Sequence, residues 1–253
     1  YEMQRSLVGS EMCIRDSEVG VKTKTLNLWC DSSNVWLPED YIIKCSQEVD
    51  LNKFAGMDCY VGVDLAATSD LTAVAYLVVQ DGTYHFKTHY YLPESALKDK
   101  ADKELYKYWK HQGYLTVTSG NVTDYDYITT DMLRYADVVN IQSVGYDKYN
   151  ATQWAIDSTE QGLPLEEYPQ TLGNFNMPTR ELERLILSGK AVIDNNEINR
   201  YCFRNVTLKS DYNGNVKPNK AVDKKKIDGT IAMIQALGMY LRTPHYTNEI
   251  LTI

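Results

Sequence analysis

The sequence predicts a mixed α/β domain whose sheet begins antiparallel and continues parallel. Three observations lead there. Strand-like runs follow one another over residues 60–64, 71–80 and 83–92, and the tight pair Asp81-Gly82 joins the last two. Beyond residue 94 the apolar period lengthens to that of helices, with short strand-like runs between them. A closing stripe of Ile227, Ile231, Ile234, Gly238 and Leu241 has helical spacing and stops before Pro244.

Taken in order, residues 60–64 are apolar and end in Asp64, as a short buried strand would. Residues 71–80 are rich in Ala and Val, and residues 83–92 in β-branched and aromatic side chains. Residues 94–111 are charged and helix-prone, which suits a surface helix. Residues 125–140 place Ile128, Met132, Tyr135, Ala136 and Val139 on one helical face. A strand over 143–147 again ends in an acid, a helix over 151–161 is stopped by Gly162, and 163–168 reads as a fifth strand. A helix over 178–188 has Pro near its start, turns Leu182, Leu185 and Ile186 inward, and is followed by Gly189. Two strand-like runs flank Asn213-Gly214 as a hairpin. The order β-β-β-α-β-α-β-α, with that hairpin inserted before the last helix, is the order of an RNase H-like domain.

The 253 residues carry 26 Lys and Arg against 34 Asp and Glu, a formal charge of −8. A uniformly basic nucleic-acid coat is excluded, while a local basic patch is not. No apolar run approaches the ~18–20 residues of a membrane helix. The five cysteines form no CxxC pair, which suggests reduced, buried thiols in a cytosolic compartment. Residues 1–17 lack any period or apolar face and are expected to be an artefactual or disordered tail. Residues 18–56 scatter their aromatics as a linker or hinge would, 57–243 hold the α/β domain, and 244–253 form a tail.

Asp64, Asp147 and Asp228 each stand at an element end: two strands and the first turn of the closing helix. In an RNase H-like sheet the first and fourth strands are neighbours, and the closing helix packs over the same edge. Three carboxylates gathered there repel one another unless a cation lies between them. Hard oxygen ligands suit Mg2+ or Mn2+, and two such ions serve in-line phosphoryl displacement. Each acid also has a plainer reading, as a turn residue, a cap, or a favourable charge at a helix start. Asp70 is a possible fourth ligand or simply the start of the second strand. Lys217, Lys220, Lys224, Lys225 and Lys226 crowd the segment before Asp228 and could hold a phosphate backbone; a solvated loop is the alternative.

Absent motifs narrow the field. The chain has no GxxxxGK[ST] loop, no GxGxxG, no GxSxG and no HExxH. His85 and His89 share a strand face but have no third zinc ligand in view.

CYVGVDLA at 59–66, SDLTAVA at 69–75, VGYDKYNA at 144–151, PQTLGNFNMPT at 169–179, CFRNV at 202–206 and KKIDGTIAMIQAL at 225–237 together resemble the nuclease domain of tailed-bacteriophage terminase large subunits. LNLW at 26–29 and WLP at 36–38 are similar to the segment that joins that family's ATPase to its nuclease, so residues 18–56 would come from the connection to an absent ATPase domain. The resemblance spans about residues 22–243. It implies a metal-dependent endonuclease using two Mg2+ or Mn2+ ions on Asp64, Asp147 and Asp228, which cuts concatemeric double-stranded viral DNA. It also implies a small terminase subunit and a procapsid portal protein as partners, no membrane, and the host bacterial cytoplasm as location. Two other readings stand beside it. One is a catalytically idle docking module for the portal or small subunit. The other is an actin-like ATPase, which would need a second lobe and glycine-rich loops that the sequence lacks.

Overall fold

The computed structural model describes residues 35–66, 70–99, 102–149, 151–222 and 225–244; the tail over 1–17, most of the linker segment, Lys224 and residues 245–253 lie outside them. The elements are α1 (Glu39–Cys45), β1 (Ser46–Gln47), a 3₁₀ turn (Leu51–Phe54), β2 (Asp58–Asp64), β3 (Thr72–Gln80), β4 (Thr83–Pro93), α2 (Ala96–Asp99), α3 (Lys103–His111), β5 (Thr116–Thr118), α4 (Tyr125–Ala136) and β6 (Asn140–Tyr146). There follow α5 (Thr152–Glu160), β7 (Leu165–Glu167), α6 (Leu172–Leu187), β8 (Ala191–Asp194), α7 (Glu197–Arg204), β9 (Val206–Ser210), β10 (Val216–Lys220) and α8 (Asp228–Arg242).

The main sheet runs β1-β8-β4-β3-β2-β6-β7, and β9 and β10 pair apart from it. Within that sheet β3 alone is antiparallel to its neighbours. This is the mixed, RNase H-like order expected from the run of strands. Asp81 and Gly82 both have positive φ, 50° and 74°. That is the left-handed pair a two-residue hairpin requires, and Asp and Gly tolerate it best.

Alternation along the strands sends side chains to two cores. Tyr60, Ala73, Ala75, Leu77 and Phe86 face one side, packed under α1, α3, α6, α7 and α8. Val61, Val63, Val74, Tyr76 and Val78 face the other, against the 3₁₀ turn, α4 and α5. Every residue of α8 from Gly229 to Met239 is buried. A helix buried all round, here even at the polar Thr230 and Gln235, must be covered on both sides, and α8 lies between the sheet and α6. The approach needs Gly62, because a Cβ there would run into the Ala232 carbonyl and the Ala236 amide.

The structure departs from the sequence expectations in four places. The charged run over 94–111 forms two short helices, α2 and α3, rather than one, and β5 follows them. Next, α6 begins at Leu172, with Thr171 as its cap, instead of at Pro178. Proline is tolerated in this helix because Asn174 O, the carbonyl that loses its i+4 partner, accepts the Tyr168 hydroxyl at 2.7 Å. Third, β1, β8 and α7 add to the expected elements; the two strands have two and four residues, too few to show a period, and are defined by pairing, β8 with β4 and β1 with β8. Lastly, the end of the segment read as a linker is integral to the domain: Trp36, Leu37, Ile42 and Cys45 enter the larger core. Among the described residues no helix is long and apolar enough to cross a membrane. Cys45, Cys59 and Cys202 are buried free thiols, as expected.

Candidate active site

Parallel pairing of β2 with β6 sets Val63 opposite Tyr146. The next residue in each case is an aspartate, Asp64 as the last of β2 and Asp147 just past β6, so the two leave the same end of the sheet side by side. Asp228 is the first residue of α8, one turn before the Ala232 that packs on Gly62. The helix thus delivers Asp228 over the end of β2.

The electrostatics agree with that proximity. Burial, followed by the charges of Asp228 and Asp147, holds the Asp64 carboxyl well above the usual carboxylate range; Gln170 and Lys220 oppose the rise. Asp228 is pushed up to about 6, by burial first and by the Asp70 charge second, with Lys220 and Lys226 opposing. Its Oδ2 is buried and has no hydrogen-bond partner among the described residues. A carboxylate oxygen left in that state is costly.

Both oxygens of Asp147 are held by backbone amides, Oδ1 by Tyr149 N–H at 2.9 Å and Oδ2 by Gln170 N–H at 2.9 Å. The Gln170 side chain donates to Asp64 Oδ1 at 3.0 Å. Gln170 does not stand out in the sequence. It lies within the 169–179 run of the family resemblance, but a neutral amide in a loop carries no signal of its own.

Asp70 accepts the backbone N–H of Leu71 at 3.0 Å and forms an ion pair with Lys226. It therefore stands two residues before β3 and adds charge beside Asp228. The lysines do not form one outward patch. Lys217 Nζ donates to the Gln170 carbonyl at 2.7 Å, and Lys226 turns in to Asp70 with its side chain 14% exposed. Lys220 lowers the pKa of Asp64, Asp70 and Asp228 together. Lys225 is exposed, above the Tyr201 ring at 5.7 Å. Lys224 lies outside the described residues. His85 and His89 pack on Phe54, and on Tyr76 and Tyr135, respectively.

The donor set suits a hard divalent cation: carboxylate oxygens, like-charge repulsion, and the unpartnered Asp228 Oδ2. Among the described residues no three of His, Cys, Asp or Glu are grouped closely enough to complete a metal site as they stand. Lys220 and Lys226 supply positive charge there instead.

The sequence profile of the family described as "Terminase large subunit, endonuclease domain" matches residues 5–243. The chain belongs to this terminase family. Relatives include Protein YmfN of Escherichia coli (strain K12), 31% identical across 86% of this chain and 51% of its own length. The large terminase subunit of Enterobacteria phage HK97 is 28% identical across 71% of this chain and 36% of its own length. This terminase domain therefore spans about half or less of those curated relatives. The crystal structure of the HK97 bacteriophage large terminase shares its fold at a TM-score of 0.73 and 24% identity, over 92% of this chain and 50% of that one.

Proposed function

We propose that this domain is a metal-dependent endonuclease that hydrolyses phosphodiester bonds of concatemeric double-stranded viral DNA during genome packaging. One observation supports the reading above all: in a chain of this family, Asp64 and Asp147 leave neighbouring parallel strand ends and are bridged by Gln170, and the Asp228 and Asp147 charges oppose the ionisation of Asp64. A cation bound there would relieve that opposition. Asp64, Asp147 and Asp228, with Asp70 beside them, would hold two Mg2+ or Mn2+ ions. Ions bound there lower the pKa of water and stabilise the leaving oxygen of an in-line displacement.

The chain's own residues orient and neutralise. Gln170 and the Tyr149 amide restrain the carboxylates. Lys220, whose charge acts on Asp64, Asp70 and Asp228, would offset the negative charge that develops on the phosphate. Lys225 is exposed and available to the DNA backbone, and Lys217, Lys220, Lys224 and Lys226 of the same stretch of sequence would add to the attraction. Contacts of this type carry little sequence information, so site choice falls to partners, the small terminase subunit and the procapsid portal protein, in the host bacterial cytoplasm. In this reading residues 57–243 are the nuclease domain, and residues 36–56 pack onto it as part of the same two cores.

Supercoiled plasmid incubated with Mn2+ or Mg2+ should be nicked and linearised, and Asp64→Ala should lose about 10³-fold or more in rate. Undiminished cleavage by that variant would sink the reading. A second reading, an idle docking module, is favoured by the Lys226–Asp70 ion pair beside the acids. Mn2+ binding measured apart from cleavage separates the two, because an idle site should not take the ion.

A further inference from the structure

The residue that joins the acids is not itself an acid. Gln170 has three polar groups engaged with three different parts of the fold. Its side-chain amide donates to Asp64 Oδ1 at the end of β2, at 3.0 Å. Its backbone N–H donates to Asp147 Oδ2 just past β6, at 2.9 Å. Its carbonyl accepts Lys217 Nζ from β10 at 2.7 Å. We infer that Gln170 is the positioning residue of the acid site, holding the Asp64 and Asp147 carboxylates side by side and tying the β9–β10 hairpin to the same point. The inference rests on the nuclease reading above and extends it to a residue that would not itself bind the metal.

The physical case begins with repulsion. Two like-charged carboxylates on adjacent strand ends lower their energy by rotating apart into solvent, which would scatter a cation's ligands. Restraint requires donors, and a donor that is neutral adds no net charge to the cluster. An amide side chain meets both conditions, whereas a Glu at this position would add another repelling charge.

The anchor must also be rigid, and its surroundings make it so. Tyr168 N–H donates to Tyr146 O at 2.7 Å, which fastens the segment after β7 to the end of β6. Pro169 O accepts both Thr171 N–H at 2.8 Å and Asn174 Nδ2 at 2.8 Å, while Thr171 caps α6. Gln170 is thus pinned on both sides along the chain. Partners that orient metal ligands in this way typically change metal affinity 10–100-fold when removed.

The test is calorimetric titration of Mn2+ into the parent chain, Gln170→Ala, Gln170→Met and Asp64→Asn, with thermal melts in EDTA. Gln170→Met keeps the length of the side chain and the backbone bond to Asp147, and deletes only the donor to Asp64. It serves if Gln170→Ala does not fold. The parent should bind, Asp64→Asn should not, and both Gln170 variants should bind about 10–100-fold more weakly with Tm in EDTA close to the parent's. A merely structural role would lower Tm and leave the affinity of the folded protein unchanged, which overturns the inference alone. Failure of the parent itself to bind Mn2+ overturns the nuclease reading and the inference with it.

Discussion

Asp194 and Asp228 are both carboxylates in the interior of the same molecule, and the fold treats them in opposite ways. Asp194, at the end of β8, is 7% exposed, pairs with Lys87 at 3.0 Å and accepts the Val49 N–H at 3.1 Å. Its charge is matched and its oxygens are used to fasten the segment before the 3₁₀ turn to the sheet edge. Asp228 has a buried Oδ2 with no partner among the described residues, and another carboxylate, Asp70, beside it. The fold can evidently satisfy a buried carboxylate, so the deficit at Asp228 is a property of that place. A matched pair holds structure together, whereas an unmatched acid among acids is poised for something that arrives from outside.

The contrast is tested most strongly by removing each acid. Asp194→Ala leaves the half-buried Lys87 and the Val49 amide without their partner and should lose about 3 kcal/mol in denaturant unfolding. Asp228→Asn should do the reverse and gain about 1–3 kcal/mol in metal-free protein at neutral pH, while abolishing plasmid cleavage. A loss of stability in both variants would break the distinction.

Titration sharpens it further. His89, its pKa lowered to about 4 by burial and then by the Lys87 charge, binds fewer protons folded than unfolded. Its contribution is complete above pH 6.5 and is lost as pH falls from there toward 4. Asp228, raised to about 6, binds more protons folded than unfolded, so its penalty grows as pH rises from 3.8 through 6. The two oppose each other in the parent. Asp228→Asn should therefore steepen the acid-side loss of stability by about 1–2 kcal/mol between pH 6 and 4, and His89→Phe should flatten it, as read by thermal melts across that range.

The smallest effect belongs to the surface. Lys225→Ala should leave stability unchanged and reduce the slope of log affinity for DNA against log salt by about 0.9, measured on a catalytically silent Asp64→Asn background. Lys226→Ala, which frees Asp70, should instead alter the stability of the acid site, since that lysine points inward.

Much of the fold is legible in the residues alone. The strands over β2, β3 and β4, the Asp81-Gly82 turn and the apolar stripe of α8 follow from local periodicity and turn chemistry. The three acids at element ends follow from strand order, because parallel neighbours put their carboxyl ends together. The lysines are legible only as charge. Adjacency along the chain does not say which ammonium group turns toward Gln170 or Asp70 and which stays in water.

By itself, then, the sequence determined the run of strands, the family and the acids at the sheet edge, since all three are written in residues near one another or in a fixed order of elements. Only the tertiary structure decided that Gln170 spans Asp64 and Asp147, that Tyr168 makes Pro178 tolerable within α6, and that β8 exists at all. The first and last join residues more than a hundred positions apart, which folding must first bring within about 3 Å, and the Tyr168 bond, though short in sequence, forms only once the turn between β7 and α6 is set.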